Sequence, residues 1–215
     1  MTKPMKIDFI SDVVCPWCVI GLGGLEEALG RLDGVVDAKI TFHPFELNPQ
    51  MPAEGQDIAE HVFEKYGATP EQSAANRAAI QQRAADVGFT ITYRPDSRIY
   101  NTFDAHRLLH WAGLQGRQLE LKKALFQAYF TDGRNPGDHE VLVEAAGQAG
   151  LDPAAAREVL TSGKFAEHIR NTERQWYEAG VASVPTLIIN DRYVITGGQP
   201  AELFEKALRR ISEEA

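Results

Sequence analysis

Cysteine is almost absent from this chain, and the little there is stands together. Cys15 and Cys18 are the only two in 215 residues, both within "SDVVCPWCVIG". That scarcity excludes a disulfide-stapled fold, and 44% apolar residues supply a core without staples. With no second cysteine pair, a four-ligand zinc site would need two distant histidines. Basic residues are in deficit as well, 22 against 30 acidic, giving a net charge of −8. This balance argues against nucleic acid or an acidic membrane surface as a partner. Long apolar runs are missing: the stretch from Val13 to Leu25 holds Pro16 and three glycines and is too short to span a bilayer. "MTKPMKIDFISD" has no apolar run and cleavage site of the secretory kind, so a cytoplasmic protein without a membrane partner is expected. In a reducing compartment a close cysteine pair reads as catalytic or metal-binding rather than structural.

The apolar pattern divides the chain. Residues 6–11 read as a strand, the segment from Cys15 to about Gly30 or Gly34 as a helix, and "AKITFHPFEL" (38–47) as a second strand, which together make a βαβ unit. From 57 to about 180 the texture turns helical, with helices expected near 57–66, 70–87, 101–114, 117–131, 139–149, 153–162 and 165–179. Thr69, Pro70 and Gln72 form a capping box with proline at the first helical position, and Asp152-Pro153 repeats the cap-plus-proline signal. After Gly180 the strand character returns in "VPTLIIN" and "RYVIT", separated by Asn190-Asp191, and a last helix runs from Pro200 to Ile211. No repeat, low-complexity tract or disordered linker interrupts the helical block.

A Cys-x-x-Cys pair at a strand-to-helix junction carries chemistry. The unpaired N–H groups and positive end of the helix favour an anion on the first cysteine, which suits Cys15 as a thiolate nucleophile. Cys18, one turn on, faces the same way and suits the resolving role, attacking a mixed disulfide at Cys15 and releasing the partner. Pro16 costs the first turn no hydrogen bond. Pro185 stands just before a β run, a place for a strand start or a cis bond.

"CPWC" after a first strand, the long helical block, and "SVPT" opening the late hairpin resemble the DsbA-like branch of the thioredoxin fold. "DVVCPWC", "NTFDAHRLLHWA" and "YVITGGQP" resemble more narrowly the FrnE-type dithiol–disulfide oxidoreductases. The resemblance implies an α/β thioredoxin-like fold: a discontinuous domain of residues 1–55 and 181–215, with an all-helical insertion of residues 56–180 whose last helix, about 165–180, packs on the thioredoxin part. It implies a cis Val184-Pro185 bond beside the cysteines, with the Val184 backbone open to an extended substrate by strand addition. Trp17 stands where strongly oxidising periplasmic relatives usually carry histidine, which implies a more reducing couple.

Candidates around this centre have competing readings. Trp17 reads equally as a substrate-facing aromatic or as packing beneath the insertion. Asp12 reads first as a cap of the turn before the helix and second as an acid–base group, and its charge opposes a thiolate. Asn101, His106 and Arg107 fall in the FrnE-like block and are candidate substrate-side residues with Pro16, Trp17, Val184 and Pro185. His106 and His110 share a helical face, but that is half a metal site at best, so no metal is expected. Arg94, Arg98 and Arg107 suit anionic groups such as glutathione carboxylates, although solvated arginines are the default. The stripe Leu119, Leu121, Leu125, Phe126, Tyr129 and Phe130 suits a core first, and a lid or homodimer contact second.

The reading is a protein dithiol–disulfide reductase or isomerase, with Cys15 as nucleophile and Cys18 resolving. It needs no cofactor beyond its redox-active pair, and glutathione is compatible as reductant or co-substrate. Its partners are a thiol- or disulfide-containing protein or small molecule and a reductant that recycles the pair. The alternatives are a glutathione-dependent transferase or isomerase resembling the kappa-class transferases or hydroxychromene-carboxylate isomerases, which typically carry serine at the position of Cys15, and a redox-sensing or metal-holding interaction protein.

Overall fold

The structure is a computed structural model and describes residues 2–214. Strand β1 (Lys3–Ser11) leads into helix α1 (Pro16–Arg31) and returns as β2 (Val36–Pro44), parallel to β1 in register Ile7 with Ile40 and Phe9 with Phe42. The helical block follows. It holds a two-residue ladder of β3 (Gln56–Asp57) with β4 (Arg98–Ile99), and the helices α2 (Ile58–Tyr66), α3 (Pro70–Asp86), α4 (Phe103–Leu114), α5 (Gln118–Phe126), α6 (His139–Gln148), α7 (Pro153–Thr161) and α8 (Ala166–Glu178). The chain then adds β5 (Thr186–Ile189), β6 (Tyr193–Thr196) and α9 (Ala201–Glu214). Strand order is β2-β1-β5-β6, with β5 antiparallel to both β1 and β6. This is the mixed sheet flanked by helices, with a helical insertion, that the sequence implies.

Strand periodicity separates the faces of β1. Met5, Ile7 and Phe9 join one apolar cluster with Leu22 and Leu25 of α1 and Phe204 and Leu208 of α9. Ile10 turns the other way, onto Phe45 and Val181. Asp8, also on that second face, is buried and pairs with His43 Nε2 at 2.8 Å and Lys6 Nζ at 2.9 Å. Helices α4, α5 and α8 lie against β2.

The insertion shares this core. Ala84, Ile91, Phe126 and Phe130 belong to the same cluster as the two cysteines, so the centre is enclosed from both sides of the division in sequence. A second cluster ties Val13 and Val14 to α4, α5, α6 and α7. The first two insertion helices contribute least: α2 buries no residue and α3 only Ser73 and Ala84.

Local signals work as read. Thr69 Oγ1 accepts from Gln72 N at 3.3 Å while Gln72 Oε1 accepts from Thr69 N at 2.9 Å, closing the capping box. Asp152 caps α7 through Ala154 N at 2.9 Å. Three details differ from expectation. The second strand ends at Pro44, since proline has no N–H to continue a ladder. The helix expected over 117–131 widens into a π turn over Gln127–Thr131, closed by Asp132 N on Gln127 O at 3.0 Å. The β3–β4 ladder was too short for periodicity to reveal.

Candidate active site

Cys15 is the residue before α1, in extended conformation, with Pro16 at the first helical position. Cys18 N donates to Cys15 O at 3.0 Å, which folds the four residues into the first turn. Both cysteines are free thiols. Both are buried, Cys15 with 3% of its surface exposed and Cys18 completely, but only Cys15 lines a cleft, of about 650 Å³. Burial pushes the Cys18 thiol well above its ordinary range, and the neighbouring Cys15 pushes the same way. The charge of Lys122 opposes them.

The Val184-Pro185 peptide bond is cis, as the resemblance implies. Cys15 Sγ donates to Val184 O at 3.6 Å, so the cis-proline loop and the nucleophile candidate meet although 169 residues separate them. Two glycines permit the approach. A Cβ on Gly198 would come within 2.7 Å of Trp17 O, and one on Gly21 within 3.0 Å of the Pro185 ring. The double glycine of "YVITGGQP" therefore lets the last loop close on the first turn of α1.

Cys15, Pro16, Trp17 and Val184 line the cleft from the sheet side. The insertion supplies the facing wall, including Tyr66, Tyr93, Tyr100, Tyr129 and Arg77. Trp17 is 39% exposed, which favours the substrate-facing reading over packing beneath the insertion. Burial pushes the Tyr93 hydroxyl up to about 12, so it is a neutral donor at physiological pH. Arg77 lies over the Tyr93 ring and donates to Ser73 Oγ at 2.7 Å. Of this aromatic wall only Tyr129 was singled out from sequence, in the stripe read first as core and second as lid, because the four tyrosines come from separate segments.

Asp12 does not cap α1. Its carboxylate is fully buried, accepts from Leu47 N at 2.8 Å and faces His106 Nε2 at 3.3 Å. Burial pushes it up, but His106, Leu47 N–H and Thr102 outweigh that cost and hold the carboxyl below its ordinary value. His106 is thus committed to Asp12 and lies outside the cleft wall, contrary to a substrate-side role. Asn101 is outside it too: its side chain accepts from Phe103 N at 3.0 Å and opens α4. Arg107 is buried with its guanidinium on Lys164 O at 2.8 Å, Asp104 Oδ1 at 2.6 Å and the carbonyls of Val159 and Leu160. It satisfies the end of α7, has four of its five donors on these groups and does not line the cleft.

Among the described residues, no three His, Cys, Asp or Glu side chains converge as metal ligands, and no helix is long and apolar enough to cross a membrane.

Comparison with known proteins sets this geometry in a family. Residues 6–209 match the model of the DSBA-like thioredoxin domain. The uncharacterized protein YwbO of Bacillus subtilis is 30% identical over 97% of this chain and 96% of its own. The crystal structure of the probable DsbA oxidoreductase SCO1869 from Streptomyces coelicolor superposes with a TM-score of 0.90 at 34% identity, covering 98% of this chain and 91% of that one. A putative protein disulfide isomerase from Nitrosomonas europaea shares the fold at 18% identity (TM-score 0.73, 99% of each chain). A 2-hydroxychromene-2-carboxylate isomerase shares it at 16% (TM-score 0.70, 97% of each). The match over nearly the whole sequence means that the chain belongs to the DSBA-like thioredoxin domain family.

Proposed function

We propose that this protein is a thiol–disulfide oxidoreductase that reduces or isomerises disulfides through Cys15 and Cys18. Family membership supports oxidoreductase chemistry in general. The observation that carries the finer reading is the unequal placement of the two thiols. Cys15 opens on the cleft beside the Val184 carbonyl, and Cys18 is buried one turn behind it. The first thiol attacks a substrate disulfide, one substrate sulfur leaves as a thiolate, and the resulting mixed disulfide is resolved by Cys18.

Two features favour the reducing or shuffling direction. Trp17 brings no positive charge to stabilise a thiolate at Cys15, so the reduced pair is less favoured than where a histidine stands there. The cleft, about 650 Å³ and walled by tyrosines, suits a small disulfide or a single extended strand rather than a folded surface. Glutathione, as disulfide or reductant, fits that size class, and the cytoplasm is the compartment in which such a couple would work. The glutathione-dependent transferase or isomerase alternative is compatible with the same fold but gives Cys18 no task.

The test is the reduction potential of the pair, measured by equilibration in glutathione buffers and read by thiol trapping and tryptophan fluorescence. A reversible two-electron transition between about −200 and −270 mV, lost in Cys18→Ser, is the expected result. Absence of any reversible transition would overturn the reading.

A further inference from the structure

Lys122 is the one lysine counted among the buried charged residues, and among the described residues its Nζ has no hydrogen-bond partner. It stands over the rings of Phe126 and Phe42, 5.0 and 5.8 Å from their centroids. Both rings belong to the apolar cluster that encloses Cys15 and Cys18. An unpaired ammonium in such surroundings is costly, and a methionine would fill the same volume without that cost. No structural task in the fold accounts for the charge.

Charge counting in the enclosed region gives it one. Asp12 is already ionised there and paired to His106. The resolving step places a second negative charge nearby, on a Cys18 thiol whose burial opposes ionisation. The Lys122 ammonium is drawn electrostatically to Cys18, Asp12 and Cys15 of the β1–α1 junction, and Lys122 lines a second groove together with His43 of β2, His106 and His110 of α4 and His168 of α8. At the margin, Glu120 pairs with Arg117, and Glu26 of α1 pairs with Lys123. Lys122 is thus, among the described residues, the lysine of this region whose ammonium no carboxylate hydrogen-bonds. It also lines that second groove, about 650 Å³ in volume, which shares no lining residue with the cleft.

We propose that Lys122 is a positioning residue for the resolving step, supplying the positive charge against which buried Cys18 ionises. This rests on the oxidoreductase reading. In the step, Cys18 Sγ bonds to Cys15 Sγ, and the proton it gives up is the one the leaving substrate sulfur takes. The bond from Cys15 to the substrate sulfur breaks, and its electron pair leaves with that sulfur. The cysteine pair is oxidised by two electrons and the substrate is reduced by two.

The experiment is a single turnover of the reduced protein with oxidised glutathione, quenched in acid and followed by mass spectrometry from pH 6 to pH 10, in wild type, Lys122→Met and Lys122→Gln. Glutathionylated Cys15 marks the first step and its disappearance marks the second. In both variants the first step stays within about twofold of wild type, while the second slows about tenfold or more at pH 7 and keeps rising at pH values where wild type has levelled. Cys18→Ser, which stops after the first step, gives the reference for full accumulation. Resolution rates and pH profiles that match wild type in both variants would overturn the role of Lys122 while leaving the oxidoreductase reading standing. Failure of wild-type Cys15 to form the glutathione adduct would instead remove both.

Discussion

Replacing Lys122 by methionine makes a thermodynamic prediction separable from the kinetic one. Burial lowers the Lys122 ammonium from its ordinary 10.5 to about 8, despite the opposing pull of Cys18, Asp12 and Cys15. A difference of this size corresponds to about 3 kcal/mol of strain carried by the folded state wherever the amine is charged in both states. The folded value lies below the unfolded one, so the unfolded chain binds more protons between about pH 8 and pH 10.5. Wild-type stability contributed by this group therefore rises through that window and is lowest below it. Methionine has a similar volume and no charge, and it forfeits only the attraction to the Phe42 and Phe126 rings, about 1 kcal/mol. The expected net gain at pH 7 is about 2 kcal/mol, or roughly 4–8 °C in melting temperature for a chain of this length. Urea melts of wild type and Lys122→Met at pH 7 and pH 10.5 measure it, and the gain should shrink toward zero at the higher pH. A destabilised variant at pH 7, or an equal gain at both pH values, would refute the view that this lysine sits buried at a cost.

Two further outcomes concern buried charged groups. Glu46 is buried, with one carboxylate oxygen unpartnered among the described residues and the other on Arg170. Burial first, and then the charge of Glu173, push it up to about 7 against the pull of Arg170. Its folded value lies above the unfolded one, so its contribution is most favourable at acid pH and is lost as pH rises from about 4.5 through 7. Glu46→Gln should therefore melt higher than wild type at pH 8 and level with it at pH 5, as paired thermal scans would show. Arg107→Met should cost about 3–5 kcal/mol, because it strips the partner from the carbonyls closing α7 and from the turn where Phe165 adopts φ of 66°. The KM for oxidised glutathione, measured well below the melting temperature, should not move; a raised KM at unchanged stability would restore the substrate-side role.

What was legible in the sequence depended on how local the signal was. The helices of the insertion could be bounded within a few residues because their caps lie in the chain itself: Thr69 with Gln72, Asp152 with Pro153. The pairing of Cys15 with the cis-proline loop was readable only through the resemblance, since no periodicity links residue 15 to residue 184. Side chains in the "NTFDAHRLLHWA" block were misassigned for a related reason. A motif marks residues under constraint without distinguishing a substrate contact from a structural one. Arg107 is held by carbonyls some fifty residues away, and His106 by a carboxylate 94 residues away. Lys122 was invisible: in "LELKKALF" it sits beside Lys123, which forms a salt bridge to Glu26 with half of its side chain exposed. Only the helix's orientation turns the first of the two inward.

The asymmetry between the cysteines bears on whether the protein reduces or shuffles. An isomerase benefits from a long-lived mixed disulfide, because substrate thiols need time to attack it; a reductase benefits from rapid resolution. Burial of Cys18 delays resolution by disfavouring its thiolate, and a positive charge nearby shortens the delay. The two effects act on the same sulfur from different elements, α1 and α5. On the proposed reading, the balance between reductase and isomerase would be set at Cys18 and Lys122 rather than at Cys15. On this argument Lys122→Met should lose reductase turnover while retaining, or gaining, the ability to rearrange a scrambled protein disulfide. A parallel loss of both activities would show that the lysine supports the cleft itself.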